Sequence, residues 1–205
     1  MLLTTDRLLL REFEEGDWEA VLAYQSDQRY PRHDAWRERA EEDARRFVRM
    51  FIDWQREEPR RRFQLAIVPR GEGRLIGNCG VRVTSAAARE AEIGYELDPR
   101  GWGRGYATEA ARAMLAFGFG TLRLHRVTAR CLAENVASAR VLERLGLRQE
   151  GRLREHEWIE GRWRDTLLYA ILDREWRLQA RPAGVTKPAG AWRKTGALRR
   201  RRRGG

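Results

Sequence analysis

Leu97-Asp98-Pro99-Arg100-Gly101-Trp102-Gly103-Arg104-Gly105-Tyr106-Ala107 is the stretch on which the reading of this chain turns. An alternating segment precedes it and an apolar helical pattern follows, so it leaves a strand and opens a helix. Its glycines let successive backbone N–H groups converge without a Cβ in the way. Together with the helix N-terminus, such amides form a nest for phosphate oxygens. Two common phosphate loops are excluded. No Lys-Ser or Lys-Thr follows the last glycine, as a Walker A loop requires, and Gly101-x-Gly103-x-Gly105 lacks the GxGxxG spacing of a dinucleotide fold. Taken alone, the segment also reads as a tight, glycine-rich turn.

Working outward, Ala91, Ile93, Tyr95 and Leu97 alternate with Glu92, Gly94 and Glu96, the period of a half-buried strand. Downstream, Ala107, Ala111, Met114 and Gly118 share one side of a helix expected over 106–119. Arg70-Gly71-Glu72-Gly73 is a hairpin signal between strands expected at 63–68 and 75–83. Further strands are expected at 7–13, 126–131, 152–159 and 164–172. Trp18, Val21 and Leu22 mark a first helix, and Ala40, Ala44, Phe47, Val48 and Phe51 a second over 37–52. A short helix over 135–145 stops at Gly146, a good C′ residue. The order β-α-α-β-β-β-α-β-α-β-β implies an α/β (α+β) domain, a mixed sheet of about seven strands with flanking helices.

A chain of 205 residues, 42% hydrophobic, can bury one full two-layer core. No apolar run approaches the roughly 18 residues of a membrane helix. Charged residues from Asp6 to Glu12 break any signal-peptide pattern. Cys79 and Cys131 form no disulfide framework, and no ligand spacing suggests a metal. A reducing cytoplasm is the expected location. The net charge of +11 is misleading, because nine Lys or Arg and no acid fall between Gln179 and Gly205, leaving about +2 on residues 1–178. The basicity therefore belongs to a tail, 179–205, expected to be disordered. The body has no basic stripe or recognition motif of a nucleic-acid binder.

With that context the glycine loop acquires a relative. Arg100-x-x-Gly103-x-Gly105 resembles the pyrophosphate-binding signature of the GNAT acyltransferase superfamily. Gly103-Arg104-Gly105-Tyr106-Ala107-Thr108-Glu109-Ala110 resembles its ribosomal-protein N-terminal (alanine) acetyltransferase branch. So do Thr5-Asp6-Arg7-Leu8-Leu9-Leu10-Arg11, the run from Glu134-Asn135 through Ser138 to Leu147, and Gly161-x-Trp163-x-Asp165. The resemblance spans residues 4 to about 177, in the right order. It implies a partly splayed sheet with acetyl-CoA, or another acyl-CoA, wedged at the splay. The pantetheine arm would follow the strand ending at Leu97. The pyrophosphate would sit on the amides of Trp102 to Ala107. The implied cofactor-binding set is thus Leu97, Arg100, Gly101, Trp102, Gly103, Arg104, Gly105, Tyr106 and Ala107, with Asn135 facing the pantetheine.

The chemistry asks for a base, since an amine must be neutral to attack a thioester. Glu92, two residues before a strand glycine, is the candidate, against the alternative of an Arg-paired carboxylate. Glu96 on the same face is its rival. Asn135 is also a good helix N-cap. Ser138 is the candidate proton donor to the departing thiolate, or an ordinary first-turn serine. Many relatives use a tyrosine here, and none occurs between Tyr106 and Tyr169. Cys131 lacks a His–acid partner pattern for a covalent route. His125 and His156 read as structural. Trp36, Trp54, Trp158 and Trp163 are candidates for the acceptor mouth or for core packing.

The expected activity is acetyl transfer from acetyl-CoA to an amine by direct attack in a ternary complex. A protein N-terminal α-amine, such as that of a ribosomal protein, is the first choice of acceptor. A small-molecule amine or lysine, a succinyl donor and a non-catalytic CoA-binding regulator are the alternatives. A homodimer is left open, no membrane is expected, and the tail is free to contact RNA or another polyanion. Val185, Trp192 and Leu198 are the tail's apolar side chains larger than alanine, proline aside. They cannot offset roughly 1–2 kcal/mol of backbone entropy for each residue ordered. Deleting Gln179 to Gly205 is therefore expected to leave the melting temperature and transfer to a small peptide unchanged. A large loss of either would place the tail on the body.

Overall fold

Runs that alternate, or that are apolar throughout, can lie in a sheet whose two faces are both covered by helices, and the central strands of this chain are of both kinds. The computed structural model describes residues 1–30 and 40–179. Among these, eight strands make one sheet: β1 (Leu2–Thr4), β2 (Leu8–Arg11), β3 (Arg62–Pro69), β4 (Gly77–Ser85), β5 (Glu90–Leu97), β6 (Arg126–Leu132), β7 (Arg148–Ile159) and β8 (Arg162–Leu172). Their spatial order is β1-β2-β3-β4-β5-β6-β8-β7. The helices are α1 (Trp18–Gln25), α2 (Glu41–Gln55), α3 (Tyr106–Gly120), α4 (Val136–Arg144) and α5 (Asp173–Gln179).

The strands β1 to β5 pair antiparallel in succession. The crossover through α3 then makes β6 parallel to β5. That pairing holds only for Glu90↔Arg126, Ala91↔Val127 and Glu92↔Thr128. Beyond it β6 stays on β8 as far as Leu132↔Thr166, while β5 stays on β4 as far as Gly77↔Leu97. The sheet thus divides into two leaves. From Ile93 to Leu97, the β6-facing edge of β5 has no ladder partner among the described residues.

Burial follows the alternation. Leu8, Leu10, Leu65, Ile67, Val81, Ala91, Ile93 and Leu97 face α3, where Ala110, Ala111, Met114 and Leu115 close the larger core. Ala66 and Val68 face the opposite way, under Val21 and Tyr24 of α1 and Ala44, Val48 and Phe51 of α2. The face of β5 carrying Glu92, Gly94 and Glu96 belongs to this second side.

Several boundaries differ from expectation. β1 is an added edge strand, too short to show a period. α2 ends three residues later than expected, at Gln55, and its start is at Glu41; residues 31–39, with Trp36, lie outside the described residues. α5 was not foreseen, because it carries few apolar side chains. Its Trp176 stacks on Phe119 at 5.9 Å. Gln179 lies where a Cβ on Gly146 would stand, so a boundary after residue 178 cuts the last residue of this helix. The expected tail otherwise falls outside the described residues.

One glycine fixes how closely the leaf containing β5 can pack. Gly77 opposes Leu97 with φ 154°, and a Cβ there would stand 2.3 Å from the Glu96 carbonyl oxygen. Gly77→Ala is expected to destabilise the protein by about 2 kcal/mol, the usual scale for a strained backbone position. Chemical denaturation with an unchanged m-value would show it.

Candidate active site

The glycine loop has a backbone shape that a phosphate nest would need. Gly103 and Gly105 have φ of 73° and 79°, left-handed values that a Cβ disfavours. Gly105 is the N-cap of α3, so no side chain caps that helix, and its first amides lack intrahelical acceptors. A Cβ built on Gly103 would meet nothing within 4 Å, so the loop's outer surface is open. The Arg100, Gly101 and Trp102 amides are spent within the loop, on Asp98 and Pro99, so the donors left open run from Gly103 into the first turn of α3, in a cradle that fits a pyrophosphate.

Side chains brace this loop from behind. Asp98, 2% exposed, accepts the Arg100 N–H at 2.9 Å and the Arg100 guanidinium at 2.8 Å. Burial raises the Asp98 pKa, but the bonds from Arg100 outweigh it and hold the carboxyl below its ordinary value. Arg100 is thus turned toward Asp98. The Trp102 indole N–H donates to the Leu97 carbonyl at 2.9 Å. Arg7, just before β2, donates to the Arg104 carbonyl at 2.9 Å and to Glu109 at 2.7 Å, and Thr5 donates to Glu109 at 2.6 Å. Burial pushes the Glu109 carboxyl up, and these bonds bring it below its usual range. Arg7 and Arg104 each lie 4.9 Å from the centre of the Tyr106 ring. Sequence reading missed Arg7, Asp98 and Glu109 as a brace, although Arg7 and Glu109 lie in segments that carried the resemblance and Asp98 in the glycine stretch itself.

Where the leaves part, β5 and α4 approach each other. Asn135 caps α4, its Oδ1 accepting the Ser138 N–H at 3.0 Å. The Tyr95 hydroxyl donates to the Ser138 carbonyl at 3.2 Å and lies 3.0 Å from Ser138 Oγ. Burial, chiefly, raises the Tyr95 pKa well above the usual phenol value, so it holds its proton. Cys131 of β6 is buried, and burial raises its thiol although the Ser138 hydroxyl draws it partly back. A tyrosine hydroxyl beside Ser138 is thus supplied by β5, where the alternation suggested only a core side chain.

On the opposite face, Glu92 lies between two guanidiniums, at 3.3 Å from Arg130 and 3.9 Å from Arg82. Arg82 also lies over Gly94. Two positions on, Glu96 accepts hydrogen bonds from Tyr24, Tyr30, Gln25 and Asn78. Trp54 is core, packed at 5.1 Å on Phe51. Trp158 and Trp163 are 60% and 54% exposed and meet edge to face across the last hairpin. His156 Nδ1 lies 3.0 Å from Thr166 Oγ1, and His125 is exposed.

An open phosphate cradle feeding a split parallel pair can be compared with known proteins. Residues 7–148 match the acetyltransferase (GNAT) domain family. The uncharacterized N-acetyltransferase YnaD of Bacillus subtilis is 38% identical over 176 residues, covering 86% of this chain and 99% of that protein. The crystal structure of a GNAT-family acetyltransferase from Bacillus anthracis superposes with a TM-score of 0.74 at 35% identity, covering 85% of this chain and all of that one. The ribosomal protein uS5-alanine N-acetyltransferase of Escherichia coli is 32% identical over 84 residues, 41% of this chain and 43% of that protein. The fold, the loop and these relatives together make the chain a member of the GNAT family of N-acetyltransferases.

Proposed function

We propose that this N-acetyltransferase uses acetyl-CoA to acetylate a protein N-terminal α-amine, by direct attack within a ternary complex. The observation that carries the transfer reaction is the parting of β5 and β6 beyond Glu92↔Thr128, directly above the nest. Support for the acceptor is the segment shared with the uS5-alanine enzyme. A small-molecule amine is the second choice of acceptor.

Bound acetyl-CoA supplies the thioester carbon that the amine attacks and the thiol that departs. The chain's own groups do the rest. The amides from Gly103 to Ala107 hold the phosphates, the Trp102 amide being spent on the Pro99 carbonyl, and α3 adds the positive end of its dipole. The open edge of β5 orients the pantetheine through backbone groups, with Asn135 on its other side. The Leu97 N–H polarises the thioester carbonyl, a kind of preorganised donor that contributes roughly 3–4 kcal/mol in enzymes. The amine loses one proton to a carboxylate on the α1 side, for which Glu92 is the candidate read from sequence. The leaving sulfur gains one from Ser138, whose Oγ lies 3.0 Å from the Tyr95 hydroxyl.

Two outcomes are expected. Gly103→Val and Gly105→Val should abolish CoA binding by calorimetry while the protein still folds. The left-handed position costs only roughly 1–2 kcal/mol in the apo state, whereas the side chain fills the cradle. Glu92→Gln should lower turnover and flatten its pH dependence, with acetyl-CoA affinity unchanged, in a free-thiol release assay on N-terminal peptides. Full activity at every pH would assign the proton to another group.

A further inference from the structure

Three charged side chains meet where the two leaves of the sheet part. Arg82 of β4 opposes Glu92 of β5 in register, and Glu92↔Thr128 is the last rung before the split. Arg130 stands two residues past that rung on β6, which by then pairs with β8 alone. Val81 and Val83, like Ala129 and Cys131, pack toward α3, so alternation turns Arg82 and Arg130 to the opposite face, with Glu92. One guanidinium thus stands on each side of the split, with a single carboxylate between them.

That carboxylate does not satisfy both. Arg11 and Asp17 show what a committed pair looks like in this protein, two parallel bonds of 2.7 Å. Arg130 reaches Glu92 only at 3.3 and 3.4 Å, and Arg82 only at 3.9 Å. A guanidinium carries five N–H donors. That of Arg82 makes no hydrogen bond among the described residues. Neighbouring acids are engaged elsewhere. Glu90 pairs with Arg126, and Glu96 is held by Tyr24, Tyr30, Gln25 and Asn78. One positive charge is therefore unmatched at the mouth of the split. The Arg82 and Arg130 side chains are 36% and 49% exposed, so that charge is within reach of a ligand.

The pair also lies close to the proposed chemistry. Arg82 occupies the space over Gly94, where a Cβ would stand 3.0 Å from its guanidinium. The next residue is Tyr95, whose hydroxyl meets Ser138 on the other face. Arg82 therefore lies across the strand beside the groups assigned to the leaving sulfur, not at the rim of the sheet. We infer that Arg82 and Arg130 select an acceptor that carries a carboxylate close to its amine. This rests on the acyl-transfer reading above and adds a substrate class to it. An amino acid offers such a carboxylate on its own α-carbon, and a peptide N-terminus offers one on an acidic side chain beside it. Either presents the same planar anion to guanidinium donors. Arg82 has its donors to spare, and Arg130 exchanges long bonds to Glu92 for shorter ones.

Calorimetry of acceptor binding to the CoA-loaded, full-length protein tests this without needing turnover. The probes come in matched pairs: the peptide amides Ala-Asp-Ala and Ala-Asn-Ala, and free alanine with alaninamide. In at least one pair the carboxylate form should bind roughly fivefold tighter or more at low ionic strength, the upper end for an exposed ion pair. The gap should close as salt is added. The pair that discriminates identifies the source of the carboxylate. Arg82→Gln and Arg130→Gln, each checked for melting temperature and CoA affinity, should lose most of the preference while binding the neutral member as the wild type does. Glu92→Gln should widen the preference, because the two guanidiniums then lose their competitor. Equal binding within both pairs by the wild type, or an unchanged preference in both folded arginine variants, would overturn the inference. An arginine-dependent preference with no thiol released from acetyl-CoA by any amine would sink the enzymatic reading alone.

Discussion

A parallel strand pair that stops after three residues governs this molecule. Backbone groups on a strand edge ordinarily find partners, because leaving them unpaired away from water is costly. Here β5 leaves part of one edge open, and β6 turns its own allegiance to β8. The arrangement holds because each leaf is anchored elsewhere. β5 keeps its full ladder with β4, and α3 packs across β2, β4 and β5 from below. The open edge leaves backbone donors and acceptors to be met by water or by a ligand with backbone-like polar groups.

The two faces of β5 divide the work. Side chains that point toward α3 either build the core or, with Tyr95, reach the first turn of α4. Side chains that point toward α1 are acidic or absent. Their electrostatic settings differ within four residues, since Glu92 is neutralised by guanidiniums while Glu96 is held by phenols and amides. Strand alternation thus gives one element two faces of different chemistry.

Much of this was legible in the sequence. Alternation from Ala91 to Leu97 placed the central strand and its two faces. Gly146 ended α4 at φ 84°, and Asn135 capped it. The glycine loop declared the nest. What escaped is what periodicity cannot encode. Tyr95 had the spacing of a core residue, and only the divergence of the leaves gives its hydroxyl somewhere to go. Arg7 and Glu109 are distant in the chain, so their union is a product of topology. Glu96 and its four donors come from α1, the segment after it, β4 and β5, which no local pattern joins. Most short amphipathic elements were legible and side-chain networks were not, because the former depend on neighbours in sequence and the latter on neighbours in space.

The clip between Arg7 and Glu109 also bears on how the protein matures. It links residues 102 apart in the chain. Contacts of such separation must overcome loop-closure entropy before they contribute anything. As synthesis proceeds, α3 can coil soon after it emerges, but its glycine-rich entrance acquires its final shape only once β2 has docked beside it through β3. Any affinity of this loop for a phosphate-bearing ligand would therefore be a late property of the chain. It would report that β2 and α3 have found each other, and a bound ligand would stabilise the finished polypeptide over any partly assembled one.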